Sequence, residues 1–74
     1  KLNAFDKNIR SLSGIENLTK LKELDLYSNQ ISDLKPLSNL TALYYTDLCN
    51  NPLNTDAFST QIPALDGRGI LVQR

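Results

Sequence analysis

Apolar residues recur at an uneven but repeated spacing between Leu21 and Ala42. They are Leu21, Leu24, Leu26, Ile31, Leu34, Leu37 and Leu40. The first steps of three, two and five match neither the 3.6-residue period of a helix nor the alternation of a strand. We predict a coil instead: a short strand points Leu24 and Leu26 inward, the chain turns at Asn29, and an irregular or 3₁₀ return follows. Such a coil leaves both flanks apolar, so it requires copies of itself to bury them.

The copies are present at a shift of 22 residues. Before the central coil, Leu2, Ala4, Ile9, Leu12, Ile15 and Leu18 match Leu24, Leu26, Ile31, Leu34, Leu37 and Leu40; after it, Leu43, Leu48, Asn51 and Leu53 match Leu21, Leu26, Asn29 and Ile31. The chain therefore reads as LxxLxLxxNxIxxLxxLxxLxx, which is the leucine-rich-repeat pattern. The segments GIENLTKL and PLSNLTAL resemble the 22-residue subclass found in bacterial internalins and in a phosphatase-regulator family.

This resemblance covers residues 2 to about 56 and implies an α/β fold. The expected architecture is a short right-handed leucine-rich-repeat solenoid with three to four parallel strands and irregular or 3₁₀ returns. Residues 1–54 would hold the repeats, divided as 1–20, 21–42 and 43–54. Residues 55–74 would form a C-terminal cap of one helix and one strand, because NPLNTDAF and QIPALDGRGILV resemble the segment that often closes bacterial arrays of this kind.

The residues after position 54 predict the same helix and strand without the resemblance. Apolar side chains at Phe58, Ile62 and Leu65 follow steps of four and three, which is helical spacing. Thr55 and Asp56 are the expected N-caps. Pro63 should kink or restart the helix, Gly67 or Gly69 should end it, and residues 70–72, Ile-Leu-Val, should form a final edge strand.

Asn29 and Asn51 are the polar residues whose role the pattern predicts most directly. Each stands where the chain must leave the strand, so backbone groups there lack a sheet partner. A buried asparagine amide offers two donors and one acceptor and can satisfy the neighbouring turns. We therefore expect a structural ladder of asparagines rather than a ligand site.

The outward strand positions form the candidate binding surface. Alternation along the three strands gives the columns Lys1, Glu23, Tyr45; Asn3, Asp25, Asp47; and Phe5, Tyr27, Cys49. Aromatic residues contribute strongly to protein interfaces, so the predicted protein-binding residues are Phe5, Glu23, Asp25, Tyr27, Tyr45 and Asp47. The alternative is an ordinary solvated sheet face on which the aromatic rings only cover the strands. The resemblance favours binding, since members of the family bind proteins on this concave face.

Composition argues against other classes of function. Eight basic and eight acidic side chains give no net charge, which does not favour nucleic-acid or membrane binding. The chain has no histidine and a single cysteine, so the usual zinc spacings and an internal disulfide are excluded. Neither Cys49 nor any serine has a general base at hand, and the neighbouring Asp47 should raise the pKa of Cys49. We expect neither an enzyme nor a cofactor.

The sequence therefore predicts a module that binds a partner protein through its concave strand face. Two alternatives stay open: a structural capping end of a longer repeat array, and a regulatory repeat segment attached to an enzyme. The chain begins within a strand, so we expect the natural N-terminus to lie upstream. The uncovered first strand should expose the flank of Leu2, Ile9, Leu12 and Ile15 and favour self-association.

Overall fold

The computed structural model describes all 74 residues, and its centre is one four-stranded parallel sheet. The strands lie in chain order: β1 is Leu2–Asn3, β2 is Glu23–Asp25, β3 is Tyr45–Asp47 and β4 is Leu71–Gln73. The connections after β1 and β2 contain the short 3₁₀ helices Ile15–Asn17 and Lys35–Asn39. The parallel sheet with short helical returns agrees with the predicted α/β solenoid.

The register follows the sequence repeat across the first three strands. Leu2 pairs with Leu24 and Leu24 pairs with Thr46, so paired residues are 22 positions apart (24 − 2 and 46 − 24). The step to β4 is longer: Thr46 pairs with Val72, a separation of 26 (72 − 46). The last connection is longer because it contains a helix, and β4 therefore lies outside the 22-residue frame.

The core lies between the inner face of the sheet and the returns. Fourteen buried apolar residues form one cluster, centred on the full repeat, where Leu24, Ile31, Leu37 and Leu40 have no solvent exposure. The predicted inward positions of this repeat are thus confirmed. Pro36 lies in the first turn of the second 3₁₀ helix, where its missing N–H is not required.

Asn29 joins the first two coils through its side-chain amide. Its Oδ1 accepts hydrogen bonds from the backbone N–H groups of Lys7 and Ile9, both at 3.0 Å. Its Nδ2 donates to the carbonyl groups of Ala4 and Leu26, both at 2.9 Å. One buried side chain therefore satisfies four backbone groups that the turns leave without a sheet partner.

Asn51 makes equivalent bonds one repeat later. Its Nδ2 donates to Leu26 and Leu48, and its Oδ1 accepts from the Ile31 N–H at 3.1 Å. The predicted asparagine ladder is confirmed.

A residue just before each ladder position has left-handed backbone. Asp6, Ser28 and Asn50 have φ values of 55°, 57° and 61° and are 22 residues apart. The turn thus repeats in its backbone conformation as well as in its hydrogen bonds.

Thr46 is the polar exception in the core. It is fully buried between Leu24 and Val72 on the neighbouring strands, and its hydroxyl has no hydrogen-bond partner. Its β-branched shape suits the strand, but the desolvated hydroxyl makes this the least favourable inward position of the sheet.

The C-terminal segment is helical as predicted, but two details of the prediction are wrong. The N-cap is Asn54, whose Oδ1 accepts from the Ala57 N–H at 2.8 Å; the Asp56 side chain makes no capping bond, and Thr55 already lies in the helix. Phe58 does not enter the core and is 55% exposed, whereas Ala57 is fully buried. A π-helical stretch accounts for the difference, because its i→i+5 hydrogen bonds give wider turns than the 3.6-residue turns of an α-helix.

This π-helical stretch covers Ala57–Gln61, and the α-helix α1 covers Ile62–Gly67. Pro63 lies in the first turn of α1, so the helix restarts there as expected. The turn that ends α1 contains Gly69, which has a φ of 82°. The Ile70 and Gly69 N–H groups return to the carbonyl groups of Leu65 and Asp66, a Schellman motif. This turn leads directly into β4.

The first repeat is less covered than the other two, as expected, but the exposed residues differ from the prediction. Leu12 is buried, and Ile9 and Ile15 are half-buried against the core. The exposed large apolar residues of this repeat are Leu2, Phe5 and Leu18, at 38%, 51% and 47%. Leu12 belongs to the core cluster, and the two 3₁₀ helices pack against each other.

The ladder predicts that Asn51→Ala destabilises the protein by roughly 1–3 kcal/mol, since the Ile31 N–H and the Leu48 carbonyl lose the Asn51 side chain as their partner. The Leu26 carbonyl keeps the hydrogen bond that Asn29 donates. The matched control is Asn50→Gly, because Asn50 is exposed and glycine retains its left-handed backbone. Urea unfolding measures both variants. Equal midpoints for the two would contradict the assigned role of the ladder.

Candidate functional site

Strands β2 and β3 present four of the six predicted binding residues side by side. Their central residues, Leu24 and Thr46, are fully buried, so the residues on either side point to the opposite face. Glu23 pairs with Tyr45, and Asp25 pairs with Asp47. All four are partly exposed. We refer to the surface formed by Glu23, Asp25, Tyr45, Asp47 and their outward neighbours as the strand face.

Phe5 and Tyr27 lie just beyond the ends of β1 and β2. Phe5 is 51% exposed and Tyr27 is 43% exposed, whereas the other four predicted residues are half-buried. The Asp6 N–H donates to the Tyr27 carbonyl at 2.9 Å, so the two segments are adjacent. The backbone thus brings all six positions into one region, with Phe5 and Tyr27 at its border.

The sequence analysis missed two residues of the strand face on β4. Leu71 pairs with Tyr45, and Gln73 pairs with Asp47. Leu71 is 60% exposed while Ile70 and Val72 are buried, so it extends the surface with an apolar side chain. The alternation was visible in the sequence, but the register with β3 was not, because the 26-residue step does not follow the repeat.

Tyr44 was also missed. It is 53% exposed and precedes β3. Hydrogen bonding to the Glu23 carboxylate, followed by the charge of that group, raises the pKa of the Tyr44 phenol. No repeat position predicted this contact, since Lys22 occupies the equivalent place one coil earlier.

Asp25 and Asp47 are held in the same way by their own strands. The Tyr27 N–H donates to Asp25 Oδ1 at 3.1 Å, and the Cys49 N–H donates to Asp47 Oδ1 at 3.0 Å. Each carboxylate therefore uses one oxygen to fix the end of its strand. No backbone N–H donates to the second oxygen of either carboxylate.

The acidic side chains of the strand face change the acidity of two neighbours. Burial raises the pKa of the Tyr45 phenol, and the charges of Asp47, Asp25 and Glu23 raise it further. Hydrogen bonding to Asp47, together with burial, raises the pKa of the Cys49 thiol. The predicted effect of Asp47 on Cys49 is confirmed, so this thiol is less nucleophilic than an ordinary cysteine at neutral pH.

None of Glu23, Asp25, Tyr45 and Asp47 lines a concavity of the surface. The four concavities lie at the turns, at the first strand, between the first and second returns, and between the second return and the C-terminal helix. No group of three or more potential metal ligands is present. None of the helices has the length and apolar character that crossing a membrane requires.

Comparison with protein families gives one match. The family described as Leucine Rich repeats (2 copies) matches residues 1–39, which is 39 of the 74 residues. Comparison with curated proteins and with solved structures gives no match.

The pKa shift of Cys49 predicts slow alkylation. Asp47→Asn should lower the pKa of the thiol, since the charge that disfavours the thiolate is removed, and should increase the rate several-fold at pH 7.5. Asp66→Asn is the control, because Asp66 lies on α1 in a salt bridge with Arg74. Iodoacetamide labelling followed by mass spectrometry gives both rates. Equal rates for the Asp47→Asn variant and the unmodified chain would contradict the contact.

Proposed function

Since the chain belongs to the leucine-rich-repeat family, we propose that it is a protein-interaction module. The partner would bind to the strand face, which would be the concave surface of the solenoid. Leucine-rich repeats generally mediate protein–protein interactions, and the family is typically non-enzymatic. The observation that carries the choice of face is the continuous row Glu23, Tyr45, Leu71, in which acidic, aromatic and aliphatic side chains are adjacent.

The size of the strand face supports weak binding by this segment alone. Standard interfaces involve roughly 20–30 residues on each side. The strand face, with Phe5, Tyr27 and the two β4 residues, supplies fewer than half of that number. Tight binding would therefore use a second surface or further repeats.

Finer features of the fold are part of the same proposal. The 22-residue separation of the paired strands supports the internalin-like subclass. Right-handed coiling is the expected hand, since parallel strands joined by crossovers are right-handed in nearly all proteins. The division into repeats at 1–54 and a cap at 55–74 is supported by the helix, which places Ala57, Ile62 and Leu65 on the core.

Two other functions stay open as alternatives to this proposal. A capping role in a longer array is supported by the same helix, since it covers the last coil with buried side chains. If the chain is a regulatory segment attached to an enzyme, its strand face would bind the catalytic domain of that enzyme. In both alternatives this segment contacts another part of the same polypeptide, whereas in the leading proposal it binds a separate protein.

We also propose self-association through β1, which has only one neighbouring strand. Lys1, Lys20 and Lys22 surround the exposed Leu2 and Leu18 in a shallow groove. Two such ends would bring like charges together, so association should increase with salt as the repulsion is screened. Sedimentation velocity at low and high ionic strength measures this. A protein that stays monomeric at high concentration, at both low and high ionic strength, would contradict the proposed self-association.

The leading proposal predicts that Tyr27→Ala with Tyr45→Ala abolishes partner capture. Aromatic anchors at an interface typically cost about 2 kcal/mol or more each when truncated. The control is Lys35→Ala with Ser38→Ala on the second 3₁₀ helix, which leaves the strand face unchanged. Each immobilised variant is used for capture from lysate, and the captured protein is identified by mass spectrometry. If only the control pair abolished capture, the binding site would lie on the side of the 3₁₀ returns and not on the strand face.

A further inference from the structure

The charge of the protein is unevenly distributed although its sum is zero. Strands β2, β3 and β4 carry Glu23, Asp25 and Asp47 and no basic residue, which gives a local charge of −3. Five of the eight cationic side chains lie in residues 1–22, at Lys1, Lys7, Arg10, Lys20 and Lys22. The strand face is therefore negative over β2 to β4. The cation nearest to it in register is Lys1, which precedes β1 beside Glu23 and forms no salt bridge.

None of these three carboxylates forms a salt bridge. The one salt bridge of the structure joins Arg74 to Asp66, at 3.5 Å. Arg74 directly follows β4 but is engaged with α1 and not with the strand face. Arg68, the other cation of this segment, donates to the carbonyl groups of Ser38 and Leu40.

Asp25 and Asp47 are the centre of this negative surface. They are register partners on adjacent strands, a spacing of about 4.8 Å. Like charges directly opposite one another destabilise a sheet. Since each Oδ1 is fixed by a backbone N–H, the remaining oxygens form two acceptors of constrained orientation, about one strand apart.

We infer that the strand face binds an arginine-bearing segment of the partner protein, with one guanidinium bridging Asp25 and Asp47. This inference rests on the proposed function. A guanidinium is planar and carries five donors in a rigid fork, so it can donate to both carboxylates at once. A lysine ammonium is a compact and strongly hydrated point charge and matches two separated acceptors less well.

The neighbours of this pair suit the same ligand. Tyr45 lies beside Glu23 on the row next to Asp25 and Asp47, and arginine stacks favourably on aromatic rings. The carboxylates already act on it, since they contribute to the raised pKa of its phenol. Leu71, beside Tyr45, offers an apolar contact to the residue next to the arginine or to its aliphatic stem.

The test uses labelled tetra-arginine and tetra-lysine peptides as probes, with the whole 74-residue chain, in fluorescence anisotropy at low salt. The variant is Asp25→Asn with Asp47→Asn, which retains the Oδ1 acceptors of the two strand ends. The control is Asp56→Asn with Asp66→Asn, which changes the net charge equally but off the strand face. We expect at least about a tenfold loss of tetra-arginine affinity in the variant alone, because hydrogen bonds to charged groups contribute about 1.5–3 kcal/mol.

Three results would overturn the inference: equal losses in variant and control, equal affinity for the two peptides, or no tetra-arginine binding. The capture experiment separates this failure from failure of the proposed function. If the captured protein requires Tyr27 and Tyr45 but not the two carboxylates, the arginine inference is wrong and the strand face remains the binding surface. If capture requires neither pair, both proposals fail.

Discussion

The asparagine at the end of each strand is the interaction on which the rest of the structure depends. Where a coil leaves its strand, several backbone groups face the interior without a sheet partner, and an unpaired buried group costs about 1–3 kcal/mol. Asn29 satisfies four of them at once, and its bonds reach both its own coil and the preceding one. Hydrophobic burial alone is non-directional and would allow neighbouring coils to slip. The amide bonds fix their relative position.

A fixed relative position decides which side chains become neighbours on the outer side of the sheet. Because strands pair with residues 22 positions apart, Asp25 lies beside Asp47 and Glu23 beside Tyr45. The same order places Leu24 beside Thr46 on the inner side. The composition of the strand face is thus a consequence of the turns, and a one-residue slip would exchange its two faces. The uncompensated charge that results is what a partner protein with arginine side chains would neutralise.

Much of this arrangement could be predicted because the chain repeats. The inward leucines, the ladder asparagines and the columns of outward residues follow from one spacing, and the structure places them accordingly. The prediction fails where the repeat ends. A π-helical stretch turns Phe58 outward and Ala57 inward, and the cap falls on Asn54. Leu71 and Gln73 join the strand face through a 26-residue step for which the sequence offers no second copy.

Hydrogen exchange of the asparagine side-chain amides tests the ladder most directly. In Asn29 and Asn51 the Nδ2 protons are donated to backbone carbonyl groups of two coils, whereas Asn17 is exposed and its Nδ2 makes one long bond of 3.4 Å. Nuclear magnetic resonance can follow each NH₂ group separately. The ladder predicts that the Asn29 and Asn51 amides exchange only when the coils separate, far more slowly than Asn17. Exchange of all three at the rate of a free amide would show that the turns are satisfied by water and that the asparagines do not hold the coils in register.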